Sequence, residues 1–180
     1  MINELIKMRD STIRPKWFLR QSGRHINEYF SIRNKHKNFI DFCLDETSII
    51  DATILPLNYY NIDAAILFSD ILLLPHCLGQ EVTFKKDVGP LLKRIDVSDN
   101  FLKKQINFND LEPIKNAIVK VKDIISPKKE LIGFCGAPWT ISCYMLEQRS
   151  SKDFVKTRTF LWNEEKKFIK LINKLTNDCV

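Results

Sequence analysis

The sequence predicts an α/β fold built on a parallel sheet, and three observations predict it. Two apolar runs, "AAILF" at 64–68 and "ELIGFCG" at 130–136, each have the composition of a strand buried on both faces of a parallel sheet. Between them Leu111, Ile114, Ile118, Val121 and Ile125 fall on one stripe of a helix. Helix, strand, helix, strand, helix in that order is the alternation of an α/β domain.

The elements follow from local chemistry, taken in order. "MINELIKMRD" at the start is amphipathic and too charged for a secretory leader. In "WFLRQSGRHINEY", 17–29, Arg20 and Arg24 would share a helix face, but Gly23 disfavours a helix interior, so a loop is expected. Residues 45–60 form a helix opened by Asp45 or Thr47 and kinked at Pro56. "EVTF" at 81–84 is a short strand or ribbon before a Gly-Pro break. The helix over 109–125 ends at Ser126-Pro127, and Pro138 starts the next one, which runs to about Arg149. Two more helices are expected near 152–162 and 164–178. "LTNDCV" then ends the chain where an α/β sheet calls for another strand, so the chain is expected to be half of something larger.

Composition narrows the partners. A chain of 180 residues with 44% hydrophobic and 28% charged residues is one domain's worth, or a piece of one, with a sizeable core. No repeat, linker or boundary appears, so 1–180 is expected to be a single domain. The net charge is +6, yet the lysines are scattered among acids without a basic tail, so nucleic acid is not the expected partner. Five cysteines without a C-x-x-C fit free thiols in a reducing cytoplasm. His25, His36 and His76 are too dispersed for a zinc site, and no apolar run nears 18 residues, so no membrane helix is expected.

Some residues could carry chemistry, and each also has a plain structural reading. Arg20 and Arg24 around Ser22-Gly23 suit an anionic ligand approaching the backbone, or a solvated loop paired with Glu28 or Asp10. Asp70 follows the first strand, where α/β folds bind ligands, and could equally cap "ILLL". Tyr144 is either a core tyrosine or part of a pocket at the helix that "GAPW" opens. Arg33 is most simply a solvated helix residue.

Taken together, "WFLRQSGRHINEY", "DAAILFSDIL", "LGQEVTF" followed by "GP", "LIGFCGAPWTISCYMLEQ" and "SSKDF" resemble the uroporphyrinogen decarboxylase family across essentially the whole chain. The resemblance implies the N-terminal part of a (β/α)8 barrel, usually homodimeric, working in the cytoplasm without metal or organic cofactor. Its substrate would be uroporphyrinogen III, whose four acetate carboxyls are removed to give coproporphyrinogen III. By motif, Arg20, Arg24 and Arg33 would bind substrate carboxylates, with Gln21, Ser22 and Gly23 shaping the loop. Asp70 would be the catalytic residue, accepting the pyrrole N–H groups, and Tyr144 would line the pocket. His25, Asn27 and Ser22 stand where the family typically has tyrosine, proline and alanine. The family's chain is about twice as long, so this half is expected to be inactive and poorly folded alone. The alternatives are a corrinoid- or thiol-directed methyltransferase on the same barrel, and a non-catalytic half needing a separate C-terminal partner.

Overall fold

The structure, a computed structural model, describes residues 15–125 and 129–179. The expected N-terminal amphipathic segment, Asp10 and the Ser126-Pro127 stop lie outside the described residues. In chain order the elements are α1 (Asn27–Arg33), α2 (Phe39–Cys43), α3 (Glu46–Tyr59), β1 (Ala64–Ile66), α4 (Leu73–Cys77), β2 (Val82–Lys85) and β3 (Gly89–Leu92). Then follow α5 (Asp99–Leu102), a 3-10 turn (Phe108–Leu111), α6 (Glu112–Ile124), β4 (Glu130–Ile132), α7 (Pro138–Glu147), α8 (Val155–Asn163) and α9 (Glu165–Asp178). The chain divides into two compact units: one runs up to Ser69 and includes Asn109–Phe134; the other is Asp70–Phe108 with Cys135 onward.

In the first unit β1 and β4 pair in parallel, Ala64 with Glu130 and Ile66 with Ile132, which meets the parallel-sheet expectation. Both strands are shorter than their apolar runs. Pairing continues beyond them through the Leu67 N–H to the Ile132 carbonyl at 2.9 Å. β1 is almost wholly buried, but β4 is only half-buried and Phe134 beyond it is exposed. Among the described residues β4 has a partner strand on one edge only, so the run at 130–136 departs from the expected two-faced burial. Asp45 caps α3 by accepting the Ser48 N–H at 2.8 Å, as the sequence predicts. α3 continues through Pro56 to Tyr59. Its Thr53 hydroxyl donates to the Ile49 carbonyl and accepts the Phe68 N–H at 2.9 Å, which fixes the chain as it leaves β1.

The core of this unit has two clusters. Ile26, Tyr29, Ile32, Phe42 and Ala52 gather around Phe39 and Phe68, and Ile49, Leu67 and Ala117 pack with Ile114 and Leu131. On α6 the fully buried positions are Ala117 and Val121, while Ile118 is exposed. The stripe is therefore rotated from the expected one, because the small Ala117 lets α6 approach α3 closely.

In the second unit β2 and β3 form an antiparallel hairpin, Val82 opposite Leu92 and Lys85 opposite Gly89. The expected Gly-Pro break is instead the first step of β3. Gly89 supplies a φ of +91° at the turn, and Pro90 sits in a two-stranded ribbon that tolerates a missing N–H. α7, α8 and α9 pack together over Phe168, Leu171 and Leu175. Glu147, buried at the end of α7, accepts the N–H of Thr157 at 2.8 Å and its hydroxyl at 3.0 Å, and so caps α8 from a distance. Ser151 in "SSKDF" accepts the Phe154 N–H at 3.0 Å, while Phe154 itself has a φ of +51°, an uncommon backbone for a bulky residue.

Candidate active site

The arginine loop is a loop, as the sequence predicts, and it is tied to the edge of β1. The Lys16 carbonyl accepts the Asp63 N–H at 2.8 Å, and the Lys16 N–H donates to the Asp63 carboxylate at 2.8 Å. Further on, Gln21 takes over the role of a neighbouring strand. Its Nε2 donates to the Ala64 carbonyl and its Oε1 accepts the Ile66 N–H, both at 2.9 Å. One buried carboxamide thus satisfies two backbone groups of β1. Nothing in the motif's spacing distinguishes this glutamine from a surface residue.

With Gln21 anchored, its neighbours Arg20 and Arg24 are left exposed. Neither has an ion pair or hydrogen bond among the described residues. Glu28, the expected partner in the plain reading, is engaged instead by the Tyr59 hydroxyl, whose hydrogen bond holds the Glu28 carboxyl below its usual range. His25 stacks on Tyr60 at 6.3 Å and Phe18 meets the same ring edge-on at 5.7 Å, so aromatic contacts brace the loop where proline and tyrosine are absent. A Cβ on Gly23 would meet only the His25 ring, at 3.6 Å, so the backbone there is open to approach. The Ser22 hydroxyl is buried without a hydrogen-bond partner among the described residues.

Arg33 is not a solvated helix residue. Its guanidinium donates to the His36 carbonyl at 2.9 Å and lies over the rings of Phe39 and Phe42 at 5.7 and 5.8 Å. The sequence reading missed this cluster, together with its neighbour: His36 Nε2 is 2.7 Å from the Ser48 hydroxyl and 3.7 Å from Asp45. Serine and aspartate meet the same ring nitrogen, so the histidine cannot relay a proton between them, and the trio braces the start of α3.

Asp70 and Tyr144 belong to the second unit. Asp70 Oδ1 accepts the Leu72 N–H at 2.8 Å, so the capping reading holds at the turn into α4. Among the described residues that is the carboxylate's one bond. Burial pushes the Asp70 carboxyl above its ordinary range, with the Leu72 N–H opposing. The turn rests directly on the loop that opens α7: a Cβ on Gly136 would come within 2.3 Å of Ile141 Cδ1 and 3.1 Å of Ile71 Cβ. Gly136→Ala is therefore expected to cost about 1–3 kcal/mol, read as a lower urea midpoint, because Ile141 is fully buried and has no room to yield. Tyr144, further along α7, lines a cavity of about 180 Å³ with Trp139, Cys143, Arg149, Ser151 and Phe154. The strained Phe154 and the "SSKDF" serine thus belong to the surroundings of Tyr144. Among the described residues no group of three or more His, Cys, Asp or Glu is placed to hold a metal ion.

Parallel strands each followed by a helix, with Asp70 after β1 and Tyr144 after β4, place this chain in the (β/α)8 barrel class, of which it is a part. A methyltransferase from Methanosarcina mazei has the same fold, with a TM-score of 0.67 at 12% identity, over 96% of this chain and 50% of that one. The chain belongs to the uroporphyrinogen decarboxylase family, whose model matches residues 3–180. It is 43% identical to the uroporphyrinogen decarboxylase of Rickettsia felis over 93% of this chain, and 44% identical to that of Rickettsia massiliae over 98%. The chain spans about half the length of these relatives, 49% and 51%.

Proposed function

We propose that this chain carries the carboxylate-binding and cation-stabilising half of a uroporphyrinogen decarboxylase, a carboxy-lyase converting uroporphyrinogen III to coproporphyrinogen III. The observation that supports it most is the pair of guanidiniums, Arg20 and Arg24, unpartnered among the described residues and held beside β1 by the buried Gln21. Guanidinium remains charged at any working pH and grips a carboxylate through two parallel bonds, which suits a substrate bearing eight of them. Loss of CO₂ from a pyrrole acetate needs an electron sink, and the ring provides one once protonated on carbon. The intermediate is cationic, and the free Asp70 oxygen would stabilise it; preorganised groups of this kind contribute about 2.7–4 kcal/mol each. The reaction so described draws on the substrate's own ring and uses no metal or organic cofactor. Arg33 would be a further carboxylate contact, Tyr144 would be a pocket residue, and Ser22 and Gly23 would let the substrate lie close to the loop.

In this reading the chain is one domain of a barrel that is completed by a second half, works as a homodimer in the cytoplasm and has neither nucleic acid nor membrane as a partner. No described helix is long and apolar enough to cross a membrane. The test is to co-express the chain with the C-terminal half of a relative and assay uroporphyrinogen. Coproporphyrinogen is expected from the pair and not from either half; no product from a soluble, assembled pair would overturn the proposal. In that assembly Arg20→Lys is expected to weaken substrate binding about 10-fold, the loss of one charged hydrogen bond, read as a raised KM. Arg33→Lys should leave KM nearly unchanged and lower thermal stability instead, since its guanidinium is already engaged by His36 and two rings.

A further inference from the structure

Of the five cysteines, two are brought together by the fold although 43 residues separate Cys179 from the backbone it touches. Cys179 sits at the C-terminal cap of α9, its N–H bonded to the carbonyls of Leu175 and Thr176. Its Sγ lies 3.5 Å from the carbonyl oxygen of Gly136, the residue after Cys135. Both backbones are held: α9 by its buried Leu171 and Leu175, and the Gly136 loop by contact with Ile71 and Ile141. Cys135 is exposed and Cys179 half-buried, whereas Cys43 and Cys143 are buried. Burial raises the Cys179 thiol, and the nearby Cys135 raises it further, as two neighbouring thiols that resist joint ionisation should.

We propose that Cys135 and Cys179 form a reversible disulfide when the protein meets hydrogen peroxide. The exposed Cys135 thiolate attacks the peroxide, taking one oxygen to become a sulfenic acid while the other leaves as water after protonation. Cys179 then attacks the sulfenic sulfur, loses its proton and displaces a second water as the S–S bond forms. The two thiols lose two electrons and the peroxide gains them; a dithiol reductant reverses the change. The bond would staple the end of α9 to the loop joining β4 to α7, the loop on which the Asp70 turn rests. Oxidation would thus stiffen the support of that turn.

The test is made on the full chain. The reduced protein is treated with hydrogen peroxide, its remaining thiols are alkylated, and the digest is analysed by mass spectrometry. A single linked peptide pair containing Cys135 and Cys179 is expected, removed by dithiothreitol and absent in Cys135→Ser. Cys179→Ser should instead accumulate a dimedone-reactive sulfenic acid on Cys135. The urea-unfolded chain should give mixed pairs, since proximity and not reactivity alone selects the partner. Persistent sulfenic or sulfinic acid on Cys135 in the unsubstituted protein would overturn the proposal. So would a native pairing of Cys135 with Cys77, or the same mixture in the native and unfolded chains.

Discussion

Asp70→Asn, in a complete barrel carrying this half, is expected to lower turnover at least 10-fold and by as much as about 1000-fold, with little effect on KM. Asparagine keeps the oxygen that accepts the Leu72 N–H, so the turn into α4 survives while the charge that the proposed mechanism sets against the cationic intermediate is lost. Stability should be unchanged or higher by up to about 1 kcal/mol, because a desolvated carboxylate is replaced by a neutral amide. The pH dependence follows from the raised pKa of Asp70. A carboxyl whose folded pKa exceeds its unfolded one binds its proton more tightly when folded. Its contribution to stability is therefore lost as pH rises from the unfolded pKa through the folded one, and recovered on acidification. In the proposed mechanism catalysis runs the other way, since only the ionised form would stabilise the intermediate: activity should fall on acidification at a higher pH than an ordinary aspartate gives. Urea titrations of both proteins across the acid range, beside their pH–rate profiles, check the two signs. Full activity in the asparagine variant would leave Asp70 as a cap alone.

Gln21→Leu is expected to cost roughly 2–4 kcal/mol, since it leaves the Ala64 carbonyl and the Ile66 N–H without partners in a buried setting. Gln21→Glu should be nearly as harmful despite its matching shape, because a carboxylate has no hydrogen to donate to the Ala64 carbonyl. Both are measurable as a drop in urea midpoint. A second readout separates this role from a surface one. Amide exchange at Ile66 should quicken selectively, and carboxylate binding by Arg20 and Arg24 should weaken as their loop loses its anchor. A change of less than about 0.5 kcal/mol at Gln21, the range of an ordinary surface substitution, would refute the bridging role.

The helices and strands were legible because each has a local cause. Asp45 and Pro138 mark helix starts by backbone chemistry that acts within a turn, and "AAILF" is apolar enough to require burial on both faces. The hairpin at 82–92 was half legible. Alternation in "EVTF" marked β2, but Gly89-Pro90 looked like an interruption because only the pairing partner shows that the missing N–H is not needed. Family membership was legible too, since it is carried by the order and spacing of several motifs along the chain.

What the sequence by itself determined was which residues could bind an anion: Arg20, Arg24 and Arg33 are permanent cations wherever they lie. Only the tertiary structure decided which of them are free to do so. Arg33 is drawn onto Phe39, Phe42 and the His36 carbonyl, while Arg20 and Arg24 stay unpaired among the described residues because Tyr59 engages Glu28 and Gln21 pins the loop. The ionisation of Asp70 divided in the same way. Its place after a strand is a matter of sequence, but its pKa depends on how much water and how many charges surround it. Those are properties of packing between residues far apart in the chain, and no local pattern encodes them.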